Sequence, residues 1–119
     1  MEIKLVDTHA HVDMGHFEGD RPEVIKRAKE NGTSFINMGL NVDSSKKSLR
    51  LAEANEGVYA GVGFHPHEAK NFDDTSREIL RDLARSRAVV AIGEIGLDYY
   101  RDNSPREDQK GAFRSQLDL

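Results

Sequence analysis

Four short apolar runs alternate with helical patterns along this chain. The runs are rich in β-branched and aromatic residues, as expected for strands buried on both faces of a sheet. They cover Ile3–Val6, Phe35–Met38, Val58–Phe64 and Ala88–Ile92. Their starts are spaced close to the ~30 residues of a βαβ module, so the pattern predicts four βα units with a parallel sheet and right-handed crossovers.

Each of the four predicted helices has a recognisable start. The starts lie at Asp20, at Asp43, near Thr75 and at the sequence Ser104-Pro105-Arg106-Glu107, which has the form of a capping box. Glycines end the first two helices, at Asn31-Gly32 and at Gly57. The fourth helix still runs at Leu117-Asp118-Leu119, so we expect a chain that is truncated after its fourth helix.

Composition limits the range of functions. A chain of 119 residues forms at most one domain, here 1–119, and is far shorter than the ~250 residues of a closed eight-fold barrel. Its net charge of −4 gives no overall positive field, so a nucleic acid would have to be held locally. It has no cysteine, which excludes disulfides and thiolate metal sites, and no apolar run long enough to span a membrane. We expect a cytoplasmic protein.

A polar cluster follows three of the predicted strands. The clusters are Asp7-Thr8-His9-Ala10-His11, Gly63-Phe64-His65-Pro66-His67 and Gly93-Glu94-Ile95-Gly96-Leu97-Asp98. The carboxyl ends of the strands in a β/α barrel share the mouth in which active sites lie. The three clusters are therefore expected to form one site.

His9, His11 and Glu94 are the candidate metal ligands. The two histidines are two residues apart on extended chain, so both imidazoles point to the same face and can bind one ion. Asp7 lies on that face too, and could join them or orient them from outside the ligand set. A carboxylate such as Glu94 is costly to bury without a partner, and a metal ion is a natural one. The alternatives are histidines bonded to the backbone and a salt-bridged loop glutamate.

His65 and Arg101 are the candidate residues for contacting a substrate. His65 could bind a metal ion or donate a hydrogen bond to a substrate oxygen, and the alternative is a structural histidine. Arg101 could hold a phosphate through two parallel hydrogen bonds, with Tyr99 and Tyr100 stacking on a base, or could be a surface arginine beside two packed rings. The other basic and histidine side chains considered are predicted to be solvated: His16, Lys46, Lys47 and Arg50.

The three motifs together resemble the N-terminal half of the TatD-family metal-dependent deoxyribonucleases, in order and spacing and over essentially the whole chain. The first motif alone also fits the wider amidohydrolase group, whereas the second and third are more specific. The resemblance implies a (β/α)₈ barrel with one or two divalent ions (Zn, Mg or Mn) that cleaves DNA phosphodiesters, in some members as a 3′→5′ exonuclease. It implies that His9 and His11 bind the first ion, that Glu94 bridges ions and takes part in catalysis, and that His65 lies near the substrate phosphate.

The family's later ligands, two histidines and an aspartate, have no counterpart here, and no histidine follows His67. We therefore expect this chain to bind a divalent ion weakly and to be inactive alone. Two other functions stay open: a different amidohydrolase acting on an amide or phosphotriester, and a non-catalytic half-barrel that binds metal or a partner chain. A carboxylated lysine on the fourth strand would favour the first, but Glu94 stands there.

Half of a barrel would have two open sheet edges. Such edges have unpaired N–H and C=O groups, and the inner face of the sheet would lack its opposite wall. Depending on register, that face is expected to include Val6, Ile36, Val62 or Ile92. The pattern therefore predicts self-association.

Overall fold

A four-stranded parallel sheet with helices between its strands is the framework of the computed structural model, which describes all 119 residues. The strands are β1 (Leu5–Ala10), β2 (Thr33–Met38), β3 (Val58–Val62) and β4 (Val89–Ile92). The helices are α1 (Arg21–Glu30), α2 (Val42–Ala54), α3 (Asp74–Leu83) and α4 (Arg106–Leu117). The strands lie in the order β1-β2-β3-β4, and every neighbouring pair is parallel. The predicted four βα units and parallel sheet are confirmed.

The first strand extends further into the polar motif than its apolar run predicts. The prediction is Ile3–Val6, whereas β1 covers Leu5–Ala10. The ladder between β1 and β2 is made by main-chain groups, with Asp7 opposite Phe35, so a polar side chain does not end it. His9 therefore lies within a strand. β2 and β4 begin within two residues of their predicted starts.

The third strand ends earlier than predicted, at Val62 instead of Phe64. The next two main-chain N–H groups bond to side chains of helices. That of Gly63 donates to Ser45 Oγ at 3.1 Å, and that of Phe64 donates to Gln116 Oε1 at 2.7 Å. The strand ladder therefore stops where side-chain acceptors take the place of a neighbouring strand.

Polar residues close to the predicted positions provide the caps of α2 and α3. Asn41 caps α2 instead of Asp43: its Oδ1 accepts a hydrogen bond from the Ser44 N–H at 2.9 Å, and the Ser44 hydroxyl accepts one from the Asn41 N–H at 3.1 Å. Asp73 caps α3, where its Oδ1 accepts a bond from the Ser76 N–H at 2.7 Å.

The predicted capping box at the start of α4 is wrong. Ser104 is only 2% exposed, and its hydroxyl donates to the carbonyl oxygen of His67 at 2.7 Å. That hydroxyl joins two loops and does not cap the helix, and Pro105 occupies the N-cap position without a side-chain bond. The expected continuation of α4 to the chain end is also wrong, since the helix ends at Leu117 with Asp118 as its C-cap.

The helices cover one face of the sheet, and the apolar core lies between them and the strands. Two clusters of buried side chains form it: Val12, Ile25, Phe35, Ala52, Val58 and Ala60 in the first, and Val62, Phe64 and Leu80 in the second. Removing these side chains from water is the main contribution to the stability of the fold. The helices are all too short or too polar to cross a membrane.

The opposite, inner face of the sheet is uncovered. Val6 is 58% exposed and Val90 is 52% exposed. The expectation of strands buried on both faces is therefore wrong, because nothing packs on the inner face of the sheet, and Tyr59 of the central strand β3 is exposed there as well. Of the residues considered for that face, Val6 and Ile36 lie there by alternation, whereas Val62 and Ile92 pack on the helix side.

Candidate metal centre

Three side chains from the two edges of the sheet converge at the carboxyl ends of the strands. His9 lies in β1, His11 directly follows it, and Glu94 lies two residues beyond β4. His9 Nε2 is 3.1 Å from His11 Nε2 and 3.0 Å from Glu94 Oε2, and His11 Nε2 is 3.2 Å from the same oxygen. A flat sheet would hold the first and fourth strands about 14 Å apart. The contact therefore indicates that the sheet curves to bring these three predicted residues together.

The spacing of the three atoms suits a metal ion. Ligand atoms of a tetrahedral zinc ion with bonds of about 2.0–2.1 Å lie about 3.3–3.4 Å from one another. The separations of 3.0, 3.1 and 3.2 Å are close to that value. Imidazole and carboxylate are also ligand types that zinc and other divalent ions accept. The donor set therefore fits a divalent cation and leaves room around it for further ligands or water.

A main-chain carbonyl fixes the ring state of His11. Its Nδ1 lies 3.0 Å from the carbonyl oxygen of Met38, which can only accept, so Nδ1 carries the proton. The lone pair of Nε2 then points at Glu94 and His9, which is the state that a metal ligand needs. Gly93 gives the Met38 side chain its space, since a Cβ at Gly93 would lie 2.6 Å from Met38 Cε.

Asp7 supports the site through the main chain. Its Oδ1 accepts a hydrogen bond from the main-chain N–H of His9 at 2.9 Å. No imidazole is hydrogen-bonded to this carboxylate, which is exposed. Asp7 thus holds the backbone from which His9 projects and does not orient a ring directly.

His65 faces the other oxygen of Glu94. Its Nε2 lies 3.4 Å from Glu94 Oε1, and its Nδ1 accepts a hydrogen bond from the main-chain N–H of His67 at 3.0 Å. Because an N–H group can only donate, Nδ1 holds the lone pair, and in the neutral ring the proton lies on Nε2. Burial lowers the pKa of His65, although the charge of Glu94 opposes this. The ring therefore presents a hydrogen-bond donor to the site.

A second pair, His67 and Asp98, lies beside this group. His67 Nε2 is 2.5 Å from Asp98 Oδ2, and Asp98 Oδ1 accepts bonds from the main-chain N–H groups of Tyr100 and Arg101. The pKa of Asp98 is lowered, first by the bond from Arg101 and then by that from His67. The sequence interpretation missed this pair, although both residues stand in the motifs that supply His65.

An open cleft of about 410 Å³ contains the predicted ligands and His65. Its lining residues are His9, His11, Met14, Leu40, His65, His67, Glu68 and Glu94. Arg101 is not among them: it lies exposed in the loop that Asp98 holds. Tyr100 beside it is 93% exposed, while Tyr99 lies under the guanidinium of Arg106, 4.4 Å from the ring centre.

The side chains predicted to be solvated are exposed at the surface. His16 lies in a short 3₁₀ helix, Gly15–Phe17, with its ring 4.4 Å from that of Phe17. Lys47 pairs only with Asp43, one helical turn away on α2, at 3.6 Å. None of these residues reaches the cleft.

A parallel β/α sheet with ligand-type side chains at the carboxyl ends of its strands is the arrangement of the β/α-barrel enzymes. Comparison with known proteins narrows this class. The family described as TatD related DNase matches residues 6–119. The chain belongs to this family.

Individual relatives agree with the family assignment. The chain is 36% identical over 116 residues to YabD of Bacillus subtilis, called an uncharacterized metal-dependent hydrolase, and covers 46% of it. It is 39% identical over 117 residues to the 3′-5′ ssDNA/RNA exonuclease TatD of Edwardsiella piscicida and covers 45% of it. Both matches include 97% of the present chain, which thus spans about half the length of these relatives.

Solved structures share the fold. The TatD homologue YJJV of Escherichia coli K12 superposes with a TM-score of 0.85 at 34% identity, over 96% of this chain and 45% of that one. An uncharacterized amidohydrolase of Saccharomyces cerevisiae superposes at 0.82 with 22% identity, over 98% and 43%. The four βα units are therefore those of a TIM-type barrel, as predicted, and correspond to somewhat less than half of these chains.

Proposed function

We propose that this chain carries one half of the active site of a metal-dependent hydrolase that cleaves phosphodiester bonds in DNA or RNA. The observation that supports this most is the convergence of His9, His11 and Glu94 within 3.2 Å beside the donor group of His65. The relatives named as ssDNA/RNA exonucleases support nucleic acid as the substrate.

His9, His11 and Glu94 are the proposed metal ligands. Imidazole nitrogens and a carboxylate hold Zn²⁺, and the same carboxylate can hold Mg²⁺ or Mn²⁺. A divalent ion bound there would acidify a water molecule and polarise a phosphoryl oxygen. Asp7 has a supporting role, because its bond to the main chain of His9 keeps the strand end in place.

Glu94 and His65 are the proposed catalytic residues. The two oxygens of Glu94 point in different directions, Oε2 to the histidine pair and Oε1 to His65. This arrangement would let Oε2 hold a divalent ion together with the two histidines while Oε1 accepts a hydrogen bond from His65. A neutral His65 with its proton on Nε2 can donate a hydrogen bond to a phosphoryl oxygen as negative charge develops there. The lowered pKa of His65 favours the neutral ring, in which Nε2 carries the only ring proton.

Arg101 is proposed to hold a substrate phosphate from the loop beyond Glu94. The main chain of this loop is fixed by the bond from the Arg101 N–H to Asp98, at 3.0 Å. The guanidinium itself has no ion pair, so its donors are free for a phosphate. We further expect the protein to act in the cytoplasm, since a chain without cysteine suits a reducing compartment.

Zinc binding tests the metal proposal directly. Calorimetry with Zn²⁺ should show binding by the parent chain. The His9→Ala/His11→Ala double variant should lose more than the ~10–100-fold in affinity that the loss of an outer-shell partner causes, because it lacks two ligands. The exposed His16 offers a matched control, and His16→Ala should bind as the parent does. Affinity should also fall in acid, because a ligating histidine must be neutral. Equal binding by parent and double variant would refute the assignment.

A second function is favoured by one observation, the uncovered inner face of the sheet. Val6, Tyr59 and Val90 are exposed there on three different strands. A half-barrel that binds metal but does not catalyse a reaction would bind its partner chain through this face. The two functions differ in whether hydrolysis that depends on Glu94 appears once another chain supplies the remaining ligands.

A further inference from the structure

Helix α4 contacts the site region through two buried glutamines. Gln109 is 0% exposed and Gln116 is 1% exposed. They are seven residues apart, which is two helical turns, so both lie on the same face with Ala112 between them. A helix face that packs on a sheet usually presents apolar side chains. Here it presents two amides, and both bind main-chain groups of the loops that follow β3 and β4.

The amide of Gln116 binds both polar groups of Phe64. Its Oε1 accepts a hydrogen bond from the Phe64 N–H at 2.7 Å, and its Nε2 donates to the Phe64 carbonyl oxygen at 3.3 Å and to Ala112 at 3.1 Å. The amide thus replaces a neighbouring strand for this one residue. Phe64 directly precedes His65.

The amide of Gln109 binds Asp98 in the same way. Its Oε1 accepts from the Asp98 N–H at 2.7 Å, and its Nε2 donates to the carbonyl oxygens of Asp98 at 3.2 Å and Ser104 at 2.9 Å. The Asp98 carboxylate in turn holds His67 and the N–H groups of the following loop.

We infer that Gln116 and Gln109 are positioning residues, the first for His65 and the second for the His67–Asp98 pair. A bond to only the N–H or only the C=O of a residue leaves the other side of that residue free to rotate, whereas an amide bonded to both groups holds the peptide units on both sides of the residue. The ring of His65, which follows Phe64, and the ring of His67, which bonds to Asp98, then have a defined direction. The inference rests on the proposed function for its significance, because it concerns how the proposed donor His65 is aimed.

Hydrogen exchange and NMR of the metal-free 119-residue chain test the positioning roles of the two glutamines. No metal is used, so the result can be interpreted even if the metal proposal fails. Gln116→Met keeps the approximate shape of the side chain and removes its two bonds to Phe64 and its bond to Ala112. The Phe64 amide should then exchange about tenfold faster, as the loss of one hydrogen bond to a buried group implies. The ring resonances of His65 should shift, and those of His67 should move less.

Gln109→Met is the matched control, because its effects should appear at the other loop. There the Asp98 amide should exchange about tenfold faster. The His67 ring and the amides of Tyr100 and Arg101 should shift. A purely structural role would lower stability in both variants and leave the ring resonances of the folded protein where they are, which would overturn the inference.

The parent chain provides a test that does not depend on folded variants. The side-chain NH₂ protons of Gln116 and Gln109 should exchange slowly with water and show nuclear Overhauser contacts to Phe64 and Asp98 respectively. The exposed amide of Asn103 provides the reference for free exchange. Glutamine NH₂ groups that exchange as fast as that of Asn103 would overturn the inference.

Discussion

Two histidines of the site have one ring nitrogen bonded to the main chain, and the two bonds have opposite directions. His11 Nδ1 donates to the carbonyl of Met38, while His65 Nδ1 accepts from the N–H of His67. The first bond leaves a lone pair on Nε2 and the second leaves a proton there. One residue type thus presents a lone pair at one position of the site and a proton at another, because different main-chain atoms face it.

The Asp98 carboxylate should make stability depend on pH in acid. Its folded pKa lies below the ordinary value, so its contribution is complete above the unfolded pKa of about 3.9 and is lost as the pH falls through the folded pKa. We expect Asp98→Asn to lower the urea midpoint clearly at pH 7 and much less at pH 2–3. Glu2→Gln, at an exposed residue, serves as the control and should change neither midpoint. A destabilisation by Asp98→Asn that is equal at both pH values would contradict this prediction.

At the residue scale, the sequence predicts which side chains meet but not which ring nitrogen carries the proton. The position of His9, His11 and Glu94 at strand ends is enough to predict that they lie together. The protonated nitrogen of His11 depends on the carbonyl of Met38, which lies in another strand. The contacts of Asp98 and of the buried glutamines likewise depend on packing across β3, β4 and α4, which no local pattern encodes.

At the scale of elements, the cap of α2 provides a stability test. The side chain of Asn41 and that of Ser44 satisfy two N–H groups that would otherwise lack partners. Asn41→Ala should therefore cost about 1 kcal/mol of unfolding free energy. Asn103→Ala at an exposed loop residue is the control, and should cost less than about 0.5 kcal/mol. Equal effects in urea denaturation would show that the capping box contributes nothing.

The number, type and order of the elements follow from apolar periodicity, and their ends follow from it less well. Several polar residues near a helix start can act as a cap, as Asn41 and Asp43 illustrate, and packing selects one. Ser104 looks like a cap by sequence, but the loop of His67 uses its hydroxyl. β1 continues past its apolar run because the main chain makes the ladder.

At the scale of the whole molecule, the uncovered inner face should cause association. Val6 and Val90 are more than half exposed, and both edge strands have unpaired main-chain groups. We expect light scattering after size exclusion to show species larger than a monomer at micromolar concentration. Val90→Lys should reduce association, whereas Leu117→Lys on α4 should not. A stable monomer with cooperative unfolding would show that the four βα units suffice alone.

Single-stranded DNA tests the proposed substrate at the same scale. With Mg²⁺ or Mn²⁺ we expect no useful hydrolysis by this chain, because a water molecule beside three ligands in this open cleft is not aimed at a phosphate. Binding of the DNA should weaken in Arg101→Ala and stay unchanged in Arg87→Ala, which alters an exposed arginine elsewhere. Turnover that disappears in Glu94→Ala would contradict the prediction and would mean that two chains complete one site.

The sheet order, which repeats the order of the strands in the chain, also has a consequence for how the protein acquires its structure. Every ladder joins strands that are neighbours in sequence, so each pairing closes a loop only one βα unit long. Such closures cost less entropy than a pairing between strands far apart in the chain would, because the cost grows with loop length. During synthesis on a ribosome, each new strand would find the edge of the preceding one already available. The molecule can therefore grow by successive additions, one βα unit at a time, in the direction of translation.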